Sequence, residues 1–304
     1  MVLRMVPHAR AIAASLLLCG IVCGCATAPL QLPYGGYDSS ESRWPGPPRQ
    51  ELLNSDTLGQ AFVDALQPCQ PPIVIARAHV RGTQGRRRID SSLRVGVDAG
   101  TGRLRLESVD GGKRRFGLLA RYSSGQDRND DDATLVIPAR AWVVRSRSRE
   151  LVDLLLGVPL SALDMQSLLL GCPAGSGTLR YDVFDDRTIK MVIGDDTVLE
   201  AFMRRRSVAS PWTVFATVGG VPGRPIRWRA DPGRRSGGVL ESVRLTSLEW
   251  NGTAGRLFDV TFSLDRIQTP ATAPDMFTLP IPDSADELPV DAVALNVSVP
   301  LLAD

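Results

Sequence analysis

From residue 73 onward, apolar and polar side chains alternate with the two-residue period of half-buried β-strands. The clearest cases are residues 93–97 and 104–106, where each apolar residue is followed by a polar one or a glycine. This period predicts a sheet with one covered face and one face toward water. Short connections rich in Gly and Asp favour an antiparallel meander. We expect strands at 73–83, 88–97, 103–108, 116–122, 134–138, 141–145, 178–184, 188–193, 198–204, 212–218, 225–230, 239–248 and 256–267.

In the middle of the chain the period changes from two to about 3.6 residues, at residues 150–157 and 161–171. This change predicts two short helices between two groups of strands. Ser161, with Asp164 three residues later, forms a helix start that resembles a capping box. Each segment ends at a glycine that is followed two residues later by a proline, which prevents the helix from continuing.

Together these elements predict a mainly β (α+β) fold: a strongly curved antiparallel sheet, or incomplete β-barrel, of about a dozen strands with a short helical lid. A further helix, capped by Ser55 or Asp56, is expected before the first strand. We assign the domain to residues 54–282. A Pro-, Gly- and Ser-rich flexible tether at 25–53 precedes it, and an acidic tail at 283–304 either adds an edge strand or stays loose.

The first 24 residues are typical of a secretory signal. Arg4 and Arg10 give a positive start, and residues 11–23 form an apolar stretch of 13 residues. Such a stretch is too short to span a bilayer in the mature chain and has the usual size for a signal core.

The sequence Val22-Cys-Gly-Cys25 resembles the lipobox of bacterial lipoproteins. This resemblance implies that Cys25 becomes the first mature residue and carries acyl chains such as palmitate, which anchor the protein in membrane lipid. Ala26, rather than Asp, after the cysteine implies export to the outer membrane with the domain facing the periplasm; surface exposure stays open. The alternative is an ordinary cleaved signal with incidental cysteines.

Charge and histidine content narrow the function. The signal contains two arginines and no acidic residue, so the mature chain has 33 basic and 33 acidic residues and gives no reason to expect a nucleic-acid partner. His79 is the only mature histidine, and any hydrolase would have to use it. Because the sequence also lacks HExxH, CxxC, Walker and GxGxxG patterns, we expect neither an enzyme nor a cofactor or metal site.

Two cysteines remain after the signal, Cys69 and Cys172, separated by 103 residues. In an oxidising periplasm such a pair favours a disulfide. Closing a loop of this size stabilises the fold by up to about 4.7 kcal/mol in the chain-entropy model. Two buried free thiols are the alternative.

The order of these features resembles the LolA/LolB-like family of lipoprotein carriers. The most specific stretch is residues 151–173, LVDLLLGVPLSALDMQSLLLGCP, which resembles that family's two-helix lid. The stretch PDMFTLPIP at 274–282 is similar to the ends of uncharacterised lipoproteins of the same superfamily. Leu168 and Leu169 stand where LolB carries a tryptophan, so the resemblance is to the uncharacterised branch and not to LolB itself.

The resemblance implies a carrier or acceptor that binds acyl chains of lipids or lipoproteins in envelope transport, acting as a monomer. An apolar inner wall needs a cover, because burial of apolar surface is favourable by about 25 cal/mol per Å². Either the lid or an acyl chain can supply it. The alternative is a structural or interaction lipoprotein of an envelope complex, with a closed core and no ligand. The candidate lipid-binding residues of the lid are Leu151, Leu154, Leu155, Leu163, Leu168 and Leu169.

Overall fold

The computed structural model describes residues 53–67, 73–110, 113–122, 131–173, 178–194, 198–220, 228–236, 239–248, 257–272 and 275–296. The expected signal, Cys25, most of the tether, Cys69 and the end of the tail lie outside these residues. Within the described ranges, no helix has both the length and the apolar character needed to cross a membrane.

One large sheet dominates the described part of the chain. Its first half contains β1 (Ile73–Gln84), β2 (Arg87–Asp98), β3 (Arg103–Asp110), β4 (Lys113–Arg121), β5 (Asp132–Ile137) and β6 (Trp142–Arg147). Its second half contains β7 (Leu179–Asp185), β8 (Thr188–Ile193), β9 (Val198–Arg204), β10 (Thr213–Gly220), β11 (Trp228–Pro232), β14 (Ser242–Ser247) and β15 (Phe258–Gln268). Two short strands, β12 (Arg235–Ser236) and β13 (Val239–Leu240), form a separate ribbon, and β16 (Asp286–Glu287) follows β15.

The order of the 14 strands is β16-β6-β5-β4-β3-β2-β1-β15-β14-β11-β10-β9-β8-β7. Two meanders are therefore joined where the long strands β1 and β15 pair antiparallel, from Ile75 opposite Gln268 to Gln84 opposite Phe258. The sheet does not close, since it ends at β16 on one side and β7 on the other. The expected open antiparallel sheet with a helical lid is confirmed, and the short pairing of β16 with β6 is parallel.

In the described part of the chain, four α-helices accompany the sheet: α1 (Ser55–Leu66), α2 (Ser148–Leu156), α3 (Ala162–Leu170) and α4 (Val290–Asn296). The expected cap of α1 is wrong by one or two residues, because the Asn54 side chain, not that of Ser55 or Asp56, accepts the Thr57 N–H at 2.9 Å. The predicted lid helices are confirmed as α2 and α3. Both end at a glycine with φ near +65°, a left-handed conformation that glycine adopts without steric cost.

The main core lies between one face of the sheet, here called the inner face, and the helices α2 and α3. Alternate residues of each strand point inward, as Val74, Ala76 and Ala78 do in β1. The opposite, outer face is covered only in part. A small separate cluster of Ile73, Ile75, Met276 and Phe277 lies there.

The chain after residue 282 packs on the sheet. The Asp286 N–H donates to the carbonyl of Ala141, just before β6, and the Leu288 N–H donates to the carbonyl of Val143 in β6, each at 2.8 Å. These bonds cover that edge strand. In α4, Val293 is fully buried in the main core. Of the two alternatives for the tail, residues 283–296 therefore follow the first, an added edge strand, and they also form a helix that contacts α2.

Candidate functional site

The candidate site consists of the inner face of the sheet and the two helices that cover it. Of the six predicted lid leucines, five are buried, with exposed fractions between 0 and 6%. Leu154 is half-buried and packs against the main core. Leu163 is buried but lies outside the main core cluster, which contains the other four. Four of the predicted leucines therefore pack with the inner face of the sheet in one buried core.

The two lid helices differ in burial. In α3, all nine residues are buried, the polar Asp164, Gln166 and Ser167 included. A helix that is buried on all sides is a core helix rather than a surface one. In α2, Asp153 is exposed and the buried residues form one stripe. The lid therefore has an inner helix, α3, and an amphipathic outer helix, α2.

A buried polar cluster joins the start of both lid helices to the sheet. The Asp131 carboxylate, at the start of β5, accepts the backbone N–H groups of Ser148 at 3.0 Å and Ala162 at 3.1 Å, and also the Ser148 hydroxyl. The Ala162 N–H reaches the Ser148 Oγ at 2.6 Å as well. We call Asp131, Ser148 and Ala162 the lid latch. Because the first N–H groups of a helix have no partner within the helix, one carboxylate here satisfies two helix starts.

Next to the lid latch, the predicted capping box of α3 is confirmed. The Ser161 Oγ accepts the Asp164 N–H at 3.1 Å, and an Asp164 oxygen accepts the Ser161 N–H at 3.1 Å. Arg149 lies 3.8 Å from the same carboxylate. These bonds satisfy the Ser161 and Asp164 polar groups at the buried start of α3, which lowers the cost of taking them into the core.

At the other end of the lid, the end of α3 contacts a cationic side chain. The Arg235 side chain donates to the carbonyl of Gly171, the residue that ends α3, at 2.6 Å. A cation is favourable at the negative end of a helix. Burial lowers the pKa of the Arg235 guanidinium. Hydrogen bonds thus fix the lid at both ends, and leucines fill the space between.

A different cover lies on the outer face. Residues 275–281, here called the strap, cross β1 to β4, and Met276 and Phe277 pack on Ile73 and Ile75. The fit is close at Gly96, where an added Cβ would lie 2.6 Å from the Met276 Cε. At Gly117, the Cβ would lie 3.0 Å from a Leu279 methyl.

Two cavities lie away from the lid. One of about 800 Å³ borders the strap and β4 to β6, with Arg121, Asp132 and Arg145 in its lining. The other, of about 490 Å³, separates α1 from the loop at residues 205–212 and contains Asp56 and Asp64. Both have charged linings, unlike the apolar wall beneath the lid.

No family model matches the chain, and no curated protein matches it. Solved structures do. A DUF1329 family protein from Desulfovibrio piger has a TM-score of 0.51 at 12% identity over 73% of this chain and 96% of that one. A putative outer membrane lipoprotein-sorting protein domain from Vibrio parahaemolyticus has 0.49 at 10% identity, over 72% and 96%. A LolA superfamily protein from Nitrosomonas europaea has 0.44 at 10% identity, over 74% and 96%.

The decisive observation is the order of elements: a meander, two lid helices and a second meander in one open sheet. The chain has a LolA/LolB-like fold. At 10 to 12% identity the likeness concerns the fold alone, and function is argued below from the chain's own residues.

In this LolA/LolB-like fold, His79 lies on the uncovered part of the outer face. Its Nδ1 is 2.9 Å from the Ser92 Oγ, and its Nε2 is 3.5 Å from an Asp265 carboxylate oxygen. The arrangement has the residue types of a hydrolytic triad. However, Ser92 and His79 are opposite residues of paired strands, on a sheet face where the His79 side chain is 36% exposed. Backbone N–H groups in such a ladder are not arranged to stabilise an oxyanion.

The remaining predicted residues are placed only in part. Cys172 directly follows α3 and is 1% exposed, whereas Cys69 lies outside the described residues, so their disulfide stays a prediction. Among the described residues, no group of three or more His, Cys, Asp or Glu side chains could hold a metal ion. The sequence did not indicate that Asp131 contacts the lid helices. It lies just before β5, and the lid helices begin 17 and 31 residues later.

Proposed function

We propose that this protein is a lipid-anchored carrier or acceptor that binds acyl chains of lipids or lipoproteins beneath its lid, in the periplasm. The observation that carries the proposal is the lid itself. Leu151, Leu155, Leu168 and Leu169 cover the inner wall from two helices of nine residues each. Side chains of this kind are chemically similar to the hydrocarbon that would replace them.

The energetics favour exchange. Helices of nine residues are marginal in water on their own, so α2 and α3 depend on burial of their apolar side chains. Apolar burial is non-directional and proportional to area, at about 25 cal/mol per Å². An acyl chain that covers the same wall therefore recovers most of what is lost when the lid moves. The hydrogen bonds at Asp131 and Arg235 would have to be broken.

The proposed anchor is Cys25, acylated after cleavage of the signal, with Ala26 directing the protein to the outer membrane. The test is a Cys25→Ser variant in cells fed labelled palmitate. We expect the wild-type chain to carry the label in the outer-membrane fraction and the variant to carry none. Equal labelling of both would refute Cys25 as the anchor.

We also propose that a disulfide joins Cys69 to Cys172, just beyond the ends of α1 and α3. Peptide mapping of the non-reduced periplasmic protein should recover the two cysteines in one cross-linked fragment. Alkylation of both cysteines without prior reduction would contradict the bond.

The test of acyl binding uses native mass spectrometry on a form that begins at Ala26 and is exported behind an ordinary cleaved signal. This form lacks the anchor, so any bound acyl chain occupies the domain. We expect fatty acids or phospholipids to be retained in stoichiometric amounts. Complete absence of lipid, also after incubation with vesicles of phosphatidylethanolamine, would count against the carrier.

A matched pair of variants shows where the lipid binds. In a carrier, Leu155→Ala weakens the closed lid, which competes with the acyl chain, so retention should increase. Phe277→Ala removes a buried side chain from the strap and should leave retention unchanged. If the two variants change retention equally, the effect comes from general instability and not from the lid.

The alternative function, a structural or interaction lipoprotein with a closed core, is favoured by one observation. Four of the six lid leucines are part of a single buried cluster with the sheet, and three of these four are no more than 2% exposed. In that case, Leu155→Ala would lower stability without any gain in bound lipid. Co-purification of a stoichiometric protein partner without lipid would support this alternative.

A further inference from the structure

The two edges of the large sheet are treated differently. On one side, β16 pairs with β6, and backbone hydrogen bonds of 2.8 Å join Asp286 to Ala141 and Leu288 to Val143, so the chain covers its own edge. On the other side, β7 is the last strand of the sheet among the described residues. An edge strand presents unpaired N–H and C=O groups, which are a template for another strand.

The side chains of β7 form two rows. On the inner face, Val183 is buried in the core, Tyr181 packs against it, and Leu179 is 37% exposed. On the outer face, Arg180 and Asp182 carry opposite charges. Natural edge strands usually oppose pairing with charged side chains or with bulges. In β7 the irregularity lies at the end of the strand, between Val183 and Asp185. The two charges before it have opposite signs, so they can complement those of a second copy.

We propose that two copies of this protein associate through their β7 edges, antiparallel, about a two-fold axis at Tyr181. In that register Arg180 of each copy is opposite Asp182 of the other, and Leu179 is opposite Val183. This departs from the monomer expected from the sequence.

Symmetry and charge select this register. Opposed pairs in an antiparallel ladder alternate between hydrogen-bonded and non-hydrogen-bonded types. A two-fold axis between two neighbouring pairs would exchange pairs of different type. The axis must therefore pass through the centre of one pair, where a residue is opposite its own copy. An axis at Arg180 or at Asp182 would place like charges directly opposite each other, which is unfavourable. An axis at Tyr181 places opposite charges there twice.

The geometry of β7 agrees with the same axis. Its pairing with β8 is regular from Leu179 to Val183 and shifts only between Val183 and Asp185. Tyr181 is the centre of this regular stretch, so all five opposed pairs would lie where the strand is straight. Five residues span about 17 Å, so the contact is small and the dimer is expected to be weak and reversible.

The outer-face charges also balance within each copy. Within one copy, Asp182 lies 2.6 Å from Lys190, which lies 3.8 Å from Glu200. Together with Arg180 on the same face, these groups sum to zero charge when all are ionised, so the edge carries no net charge that would repel a second copy.

The test is sedimentation velocity of the full chain in a density-matched nonionic detergent, over a range of concentrations. We expect a reversible monomer–dimer equilibrium for the wild type. Arg180→Asp and Asp182→Arg should each raise the dissociation constant about tenfold, because two attractive pairs become repulsive. An equimolar mixture of the two variants should restore the dimer. In the mixed dimer the introduced Asp at 180 is opposite the introduced Arg at 182, and the unchanged Asp182 of one copy is opposite the unchanged Arg180 of the other.

Arg180 is exposed, so its variant is expected to fold, and thermal melting of the Asp182 variant checks for disturbance of Lys190. Hydrogen exchange should show concentration-dependent protection of β7 amides but not of β6. The proposal is overturned by a wild-type monomer at all concentrations, by dimers that persist in Arg180→Asp, or by a mixture that stays monomeric. It is also overturned if β7 amides are protected equally at all concentrations, because the chain itself would then cover the edge.

Discussion

The two faces of the sheet carry covers of different kinds. On the inner face, the lid places leucines of two helices against the sheet. Asp131 holds the starts of both helices, and Arg235 contacts the end of α3. On the outer face, the strap places the Met276 side chain over Gly96, where an added Cβ would lie 2.6 Å from its Cε. We expect the strap contact to depend on this close fit, whereas the lid covers the inner face by apolar area. Shape complementarity resists replacement by another molecule, and apolar area does not.

This difference separates stability from function. Removal of strap side chains should cost folding free energy that no acyl chain restores. Removal of lid side chains should cost folding free energy that an acyl chain does restore. The predictions below test this contrast, beginning with the largest effect.

The strap should be the more sensitive cover. Phe277→Ala removes a ring that is 3% exposed and stacks beneath the Arg103 guanidinium at 4.9 Å. We expect a loss of about 4 kcal/mol in the free energy of unfolding. Urea denaturation of the form that begins at Ala26, with and without oleate, measures the loss. Recovery of stability by oleate would break the contrast.

In the lid, Leu155→Ala should cost about 3 kcal/mol, as for other fully buried leucines. The same denaturation experiment with saturating oleate should recover most of this loss, since the acyl chain fills the space that the side chain leaves. A loss that oleate does not change would place Leu155 in a permanently closed core.

The lid latch should control opening without loss of apolar contacts. Asp131→Asn replaces a carboxylate oxygen by an amide that cannot accept both N–H groups, at a cost of about 2 kcal/mol. Hydrogen exchange should become faster at the starts of α2 and α3 and stay unchanged in β1 and β15. Ser92→Ala, on the outer face, is the control. Uniformly faster exchange would mean that Asp131 supports the whole fold.

The uncovered part of the outer face provides the baseline. His79→Ala removes a contact between half-exposed side chains and should change the free energy of unfolding by less than about 0.5 kcal/mol. Acyl binding should stay at the wild-type level. Loss of any activity in this variant would instead revive the Ser92, His79 and Asp265 arrangement as a hydrolytic site.

The sequence allowed prediction of most elements that depend on a local period, although the expected strand at 239–248 is divided into β13 and β14. The strands followed from alternation, and the lid helices followed from the capping box at Ser161 and the glycines that end them. Contacts between distant segments could not be predicted in this way. Asp131 joins two helices that start 17 and 31 residues later, and no local pattern marks it.

The same limit applies to the strap and the edges. Met276 and Phe277 were noticed only as part of a resemblance, because their partners Gly96 and Ile75 are about 180 and 200 residues away. The exposed edge at β7 depends on the strand order, which the positions of strands along the chain do not fix. The cap of α1 is Asn54 and not the predicted Ser55 or Asp56, because Asn, Ser and Asp are similarly good caps and the sequence does not distinguish neighbouring candidates.

The most direct test of the central claim is photo-cross-linking of the form that begins at Ala26 with a diazirine-labelled fatty acid, followed by peptide mapping. If acyl chains replace the lid leucines on the inner wall, the label will be found in α2, α3 and inward-facing residues of β1 to β4, and excess oleate will compete with it. If the label is found only on the strap and the exposed outer face, the inner wall is permanently closed and the carrier account is wrong. The same holds if excess oleate does not reduce labelling at any position.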